Sequence, residues 1–252
     1  MAKHTPHLLF TCEHASAFVP PALRPLLINH KHRGTHRELD LGALPVARTL
    51  AQRFAAPLFE GKISRLLVDM NRSPSNPRVF SPLVQNLPVA QQQNLLEKYH
   101  TPHWQAVGDH VAQAIARYGQ VVHIAVHSFT PVLVHEDGRQ DTRTADIGLL
   151  YDPARAGEAT MASRWVASLK EAEPTLAVRR NYPYLGKGDG LASSLRKRHA
   201  PGRYIGFELE VNQARLVPKV QPRVMAALVA SVAAMGFRLN RARVSVYVSR
   251  AP

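Results

Sequence analysis

VVHIAVHS, residues 121–128, is apolar from Val121 to Val126 except at His123, and it stops at His127-Ser128. It reads as a buried strand that delivers a histidine at its end. Leu8 to Cys12 repeats the pattern and runs into Glu13-His14. Working outward, Ile63–Asp69, Ile147–Tyr151, Leu176–Arg180 and Tyr204–Val211 read as further strands, with Val244–Val248 as an edge strand. Between them lie stretches with helical spacing: Asp40–Phe54, Ala90–Tyr118 with a break expected at Pro102, Gly157–Glu171 and Pro222–Met235. Residues 23–28 suit a short helical turn, and 71–88 and 182–201 read as loops rich in Pro, Gly and polar residues. This alternation predicts an α/β fold: one domain over residues 1–252, with a mixed, mostly parallel sheet sandwiched by helices. In such sheets ligands bind beyond the carboxyl ends of the strands.

The length of 252 residues suffices for a sizeable core. Cys12 is the only cysteine, which excludes an intramolecular disulfide and a cysteine-based metal site. With no apolar leader and no stretch of about 20 apolar residues, the expected location is the cytoplasm, with no membrane association. The net charge of +14, from 32 Lys+Arg against 18 Asp+Glu, admits nucleic acid or an acidic small substrate as partner. The basic residues are scattered. Their one dense run, Arg196-Lys197-Arg198-His199, carries no nucleic-acid motif and reads as a solvated surface.

The strand ends hold the chemistry. His14 and His127 each follow an apolar strand and can converge on one crevice; two imidazoles, a carboxylate and an open position make a catalytic zinc site. Asp40 is the first choice for the carboxylate, with His36 and Glu13 as alternatives. In SRLLVDMNRS, Arg65, Asp69 and Asn71 alternate onto one face if the strand extends that far. Asn71 and Arg72 at its mouth suit a substrate carboxylate, while Arg65 and Asp69 also suit an ion pair. Glu208 and Glu210 share a strand face, where crowding raises a carboxyl pKa toward that of a general base. His100 and His103 read as structural or supporting residues, and NYPYLGKGDG (181–190) as a lid or an ordered loop.

TCEHAS, HRELDLGA, SRLLVDMNRS, VHSFTP and GFELEVNQ follow one another in this order between His14 and Gln213, and together they resemble the motifs of the N-formylglutamate amidohydrolase family. That resemblance implies a zinc-exopeptidase-like fold and Zn2+-dependent hydrolysis of a small anionic N-acyl amino acid. It makes His14, Asp40 and His127 metal ligands and Glu210 the base, with Glu208 as the alternative base. Arg65, Asn71, Arg72 and Ser128 become substrate contacts. Carboxypeptidases carry a glutamate three residues after the first histidine; here that position is Ala17. The rival functions are an amidase or carboxypeptidase acting on another carboxylate-bearing amide or a peptidoglycan fragment, and a basic nucleic-acid-binding protein without enzymatic activity.

Overall fold

A computed structural model describes residues 6–135 and 137–240. The strands are β1 (His7–Cys12), β2 (Leu58–Glu60), β3 (Val121–Phe129), β4 (Val132–Val134), β5 (Gln140–Thr142), β6 (Ile147–Leu150), β7 (Val178–Arg180) and β8 (Tyr204–Asn212). The helices are α1 (Arg24–Leu27), α2 (Ala43–Phe54), α3 (Pro82–Gln85), α4 (Val89–Leu95), α5 (Thr101–Tyr118), α6 (Ala156–Ala172), α7 (Leu191–Arg198) and α8 (Gln221–Ala234). Six strands form one sheet in the order β2-β1-β3-β8-β6-β7, parallel except where β6 runs against β8. β4 and β5 form a separate hairpin. The mixed, mostly parallel sheet with helical cover is thus the one the alternation predicts.

Period two along the strands sorts side chains onto two faces. One face of β1, β3 and β8 presents Phe10, Ile124, Phe207 and Leu209 to the main core under α2, α6 and α8. The other presents Leu9, Val121 and Tyr204 to a smaller cluster with Trp104, Val107 and Val111 of α5 and Leu191 and Leu195 of α7. The buried His123 on this second face is paired, bridging Thr11 Oγ1 at 2.8 Å and the Tyr204 hydroxyl at 2.6 Å.

Three expectations need correction. Ile63–Asp69 is a turn whose one β-bridge joins Val68 to Phe80, and β2 is Leu58–Glu60 instead. Ser64 causes this: its carbonyl accepts from Leu67 N and Val68 N, and its hydroxyl from Leu66 N, closing the turn on itself. Residues 182–201 are not all loop, because they contain α7. The long helical stretch is interrupted near Pro102, as expected: α4 passes through a π turn at Leu96–His100 into α5, where the missing N–H of Pro102 interrupts the ladder. Finally, Arg196 of the basic run is buried rather than solvated. The Val244–Val248 strand lies outside the described residues.

Candidate metal and catalytic site

The parallel register of β3 and β8 sets His127 beside Glu210 and Ala125 beside Glu208, so both glutamates share a face with His127. β1 ends just before Glu13 and His14. The turn that follows is held in place: Asp40 N donates to the His14 carbonyl (3.1 Å), and Gly61 N donates to that of Cys12 (2.8 Å). A Cβ on Gly61 would lie 1.9 Å from the Glu13 carbonyl oxygen, so only glycine lets that segment close over the strand end. Gly148 has the same duty beside Glu210, where a Cβ would meet the Tyr182 carbonyl oxygen at 1.8 Å.

These constraints bring His14, Asp40 and His127 together, all buried, with one candidate ligand atom from each within 4.8 Å of the others. Nδ1 of both imidazoles points at Asp40 Oδ2, at 3.2 Å from His14 and 2.8 Å from His127. The outer nitrogens also face carboxylates: His14 Nε2 lies 2.7 Å from Asp69 Oδ1, and His127 Nε2 lies 3.2 Å from Glu13 Oε2. Imidazoles whose outer N–H is held by a carboxylate are oriented as metal-binding histidines usually are. Two imidazoles and one carboxylate also suit a divalent ion with an open position. The residues therefore fit a metal. Of the three candidates for the third ligand, Asp40 enters the group. Glu13 stands behind His127, and His36 lines the cleft outside the group.

The cleft has a volume of about 440 Å3 and receives Glu208, Glu210, Asn71 and Arg72. Glu210 is buried, and its Oε2 has no hydrogen-bond partner. Burial pushes its carboxyl up to about 7; the His127 charge opposes the rise, and Asp40 and Glu208 add to it. Glu208 is more open to solvent and is also raised, chiefly by desolvation, with His127 and Arg196 opposing. Arg65 does not alternate with Asp69 along a strand. The turn stacks them one helical turn apart, and Arg65 Nε donates to Asp69 Oδ2 at 3.0 Å, which is the ion-pair reading of that motif. Ser128 lines the cleft, but its hydroxyl is committed, donating to the Leu41 carbonyl and accepting from Gln213 Nε2.

The loop after β7 is stitched to the loop after Asn71 and forms an ordered wall. Asp189 Oδ2 accepts from Ser73 N and Asn76 Nδ2, the Asp189 carbonyl accepts from Arg72 Nη1, and Asn71 Oδ1 accepts from Leu191 N. Buried His100, kept neutral by desolvation, bonds the Arg72 carbonyl at 2.7 Å. Sequence reasoning missed Asp189, Thr130 and Arg143, all of which line the cleft. Their only signal was position in a polar loop or at a strand end.

Residues 7–217 match the sequence pattern of the N-formylglutamate amidohydrolase family. The chain belongs to that family. It is therefore an amidohydrolase, an enzyme that breaks amide bonds. The structure of a gene product of Agrobacterium tumefaciens is 29% identical to this amidohydrolase over 92% of this chain and 90% of that one, with a TM-score of 0.70. N-formylglutamate amidohydrolase from Ralstonia eutropha shares the fold at 18% identity, covering 94% of this chain and 96% of that one, with a TM-score of 0.64. None of the curated proteins matches the chain in sequence. No described helix is long and apolar enough to cross a membrane.

The amidohydrolase holds its cleft wall by a buried ion pair. Arg196 Nε lies 3.0 Å from both Glu158 oxygens, while its Nη1 and Nη2 donate to the Gly186 and Gly206 carbonyls. Glu158, 1% exposed, also accepts from Gly206 N and Asp152 N. Arg196→Met removes the nearer of that carboxylate's two arginines, leaving Arg155 Nε at 3.4 Å from Oε1, and takes the donors from the Gly186 and Gly206 carbonyls. The expected cost is about 3 kcal/mol in denaturant unfolding, the low end for a broken buried pair. A change within about 0.5 kcal/mol, as at an ordinary surface site, would show the pair to be dispensable.

Proposed function

We propose that this amidohydrolase is a zinc-dependent hydrolase of small N-acyl amino acids, with N-formylglutamate as first substrate. One observation carries the reading: the buried convergence of His14, Asp40 and His127 beside a glutamate carboxylate that has no partner of its own. In this reading His14, Asp40 and His127 hold the ion. When bound, the ion supplies a Lewis acid at the acyl group and acidifies water. Asn71 and Arg72 hold the amino acid's carboxylate before chemistry begins. Glu210 takes a proton from the attacking water and passes it to the departing amine, a role its raised pKa and dry setting suit. Glu208, at the cleft beside Asn71 and Arg72, tunes Glu210 through its charge. The named activity of the Ralstonia eutropha relative and the family pattern support the formyl substrate. A panel of N-formyl, N-acetyl and peptidyl glutamates tests it: formylglutamate should have the highest kcat/KM. A peptidyl substrate that outpaces it would make the enzyme an amidase of larger amides.

Metal binding should depend on pH. Burial and Arg65 lower the His14 pKa, but Asp69 and Asp40 outweigh them and raise it. Burial likewise opposes His127, but bonds to Asp40 and Glu13 lift it well above its ordinary value. The metal-free imidazoles thus hold protons more readily than ordinary histidines, and an entering ion must displace those they hold. Zinc affinity, measured against a competing chelator, should tighten by about tenfold per pH unit for each proton displaced. An affinity independent of pH would place the ion on other residues.

A further inference from the structure

Arg143 is buried in the cleft of the proposed active site, 9% exposed. It follows β5, and its main chain is fixed at both ends: its N–H donates to the Pro131 carbonyl, and its carbonyl accepts from Asn212 Nδ2 at the end of β8. The guanidinium lies 5.8 Å from the centre of the Phe129 ring and 5.2 Å from that of Tyr184, and it donates one hydrogen bond, to the Tyr184 hydroxyl at 3.1 Å. Among the described residues no carboxylate pairs with it, whereas Arg65, Arg155 and Arg196 each have an acidic partner. A guanidinium withdrawn from water without a counter-charge is costly, and rings on its faces do not use its in-plane donors. A second group in the same cleft is also unpaired: the buried Thr130 hydroxyl has no hydrogen-bond partner.

We infer that Arg143, with Thr130, forms a second carboxylate subsite, which receives the side-chain carboxylate of a dicarboxylic substrate and makes the enzyme selective for acidic over neutral N-acyl amino acids. This inference rests on the reading above, in which Asn71 and Arg72 hold the other carboxylate. The Phe129 and Tyr184 rings keep the fork rigid, so little freedom is lost when it grips a carboxylate through two parallel bonds. Arg143 binds and selects but takes no part in proton transfer. Its loss should therefore appear in substrate discrimination rather than in the rate of a neutral substrate.

The test has two arms, each with wild type, Arg143→Gln and Arg143→Lys. In the binding arm, calorimetry measures glutarate, a dicarboxylate, and butyrate, a monocarboxylate of similar length. Wild type should bind glutarate the more tightly. Arg143→Gln should weaken glutarate by about ten- to hundredfold, the range of a charge-assisted hydrogen bond, and leave butyrate unchanged. Arg143→Lys should restore only part. In the catalytic arm, the same factor should appear in kcat/KM for N-formylglutamate but not for N-formylglutamine. No glutarate binding by wild type, equal glutarate affinity in Arg143→Gln, or equal loss on both formyl substrates would overturn the subsite. If glutarate binding behaves as expected but wild type leaves N-formylglutamate intact, the substrate reading fails and the subsite stands.

Discussion

Glu210→Gln is expected to give a folded protein that keeps its metal and binds substrate, but turns over about 100- to 10,000-fold more slowly, the usual cost of losing a general base. Glutamine fills the same space but cannot accept a proton. The structure makes this a clean substitution, because Glu210 Oε2 has no hydrogen bond to lose. It also removes a carboxylate whose ionised form burial disfavours, so stability should hold or rise. Glu208→Gln is the contrasting case. Ionised Glu208 raises the Glu210 pKa, so neutralising it should lower that pKa and move the acid limb of the rate profile to lower pH, with turnover largely kept. Reversed results, with Glu208→Gln inactive and Glu210→Gln active, would exchange the two roles.

The second large effect is expected at the imidazoles. Removing both to alanine would leave Asp40, Asp69 and Glu13 facing one another without the groups that now separate them. Glutamine is the better replacement, since its amide can donate to the same carboxylates while being a poor ligand for zinc. His14→Gln with His127→Gln should abolish bound metal and hydrolysis together and still unfold cooperatively. Full metal content in that double variant would remove both residues from the site.

Much of this arrangement could be read along the chain because the informative runs are local. A buried parallel strand is a continuous apolar run, and those of β1, β3 and β8 end at the polar residues of the cleft. Asp40 was reachable as a polar residue just ahead of α2, although its proximity to His127 depends on the packing of that segment on the strand ends. Errors came where side chains override the apolar pattern. SRLLVDM reads as a strand, but Ser64 closes it into a turn, and the alternation of Arg65 with Asp69 becomes an ion pair. α7 is hidden in a basic, glycine-flanked stretch because its decisive contact, Arg196 to Glu158, spans 38 residues. Arg143 has no local signal. Its lack of a counter-charge is visible only once the fold shows that no carboxylate of the described residues pairs with it.

The most direct test of a metal centre at His14, Asp40 and His127 is a zinc titration of chelator-stripped protein, following formate release from N-formylglutamate. Activity should start at background, rise in proportion to added zinc and level off at about one equivalent per chain, as a single catalytic site requires. Full activity in the stripped protein before any zinc is added would contradict the account.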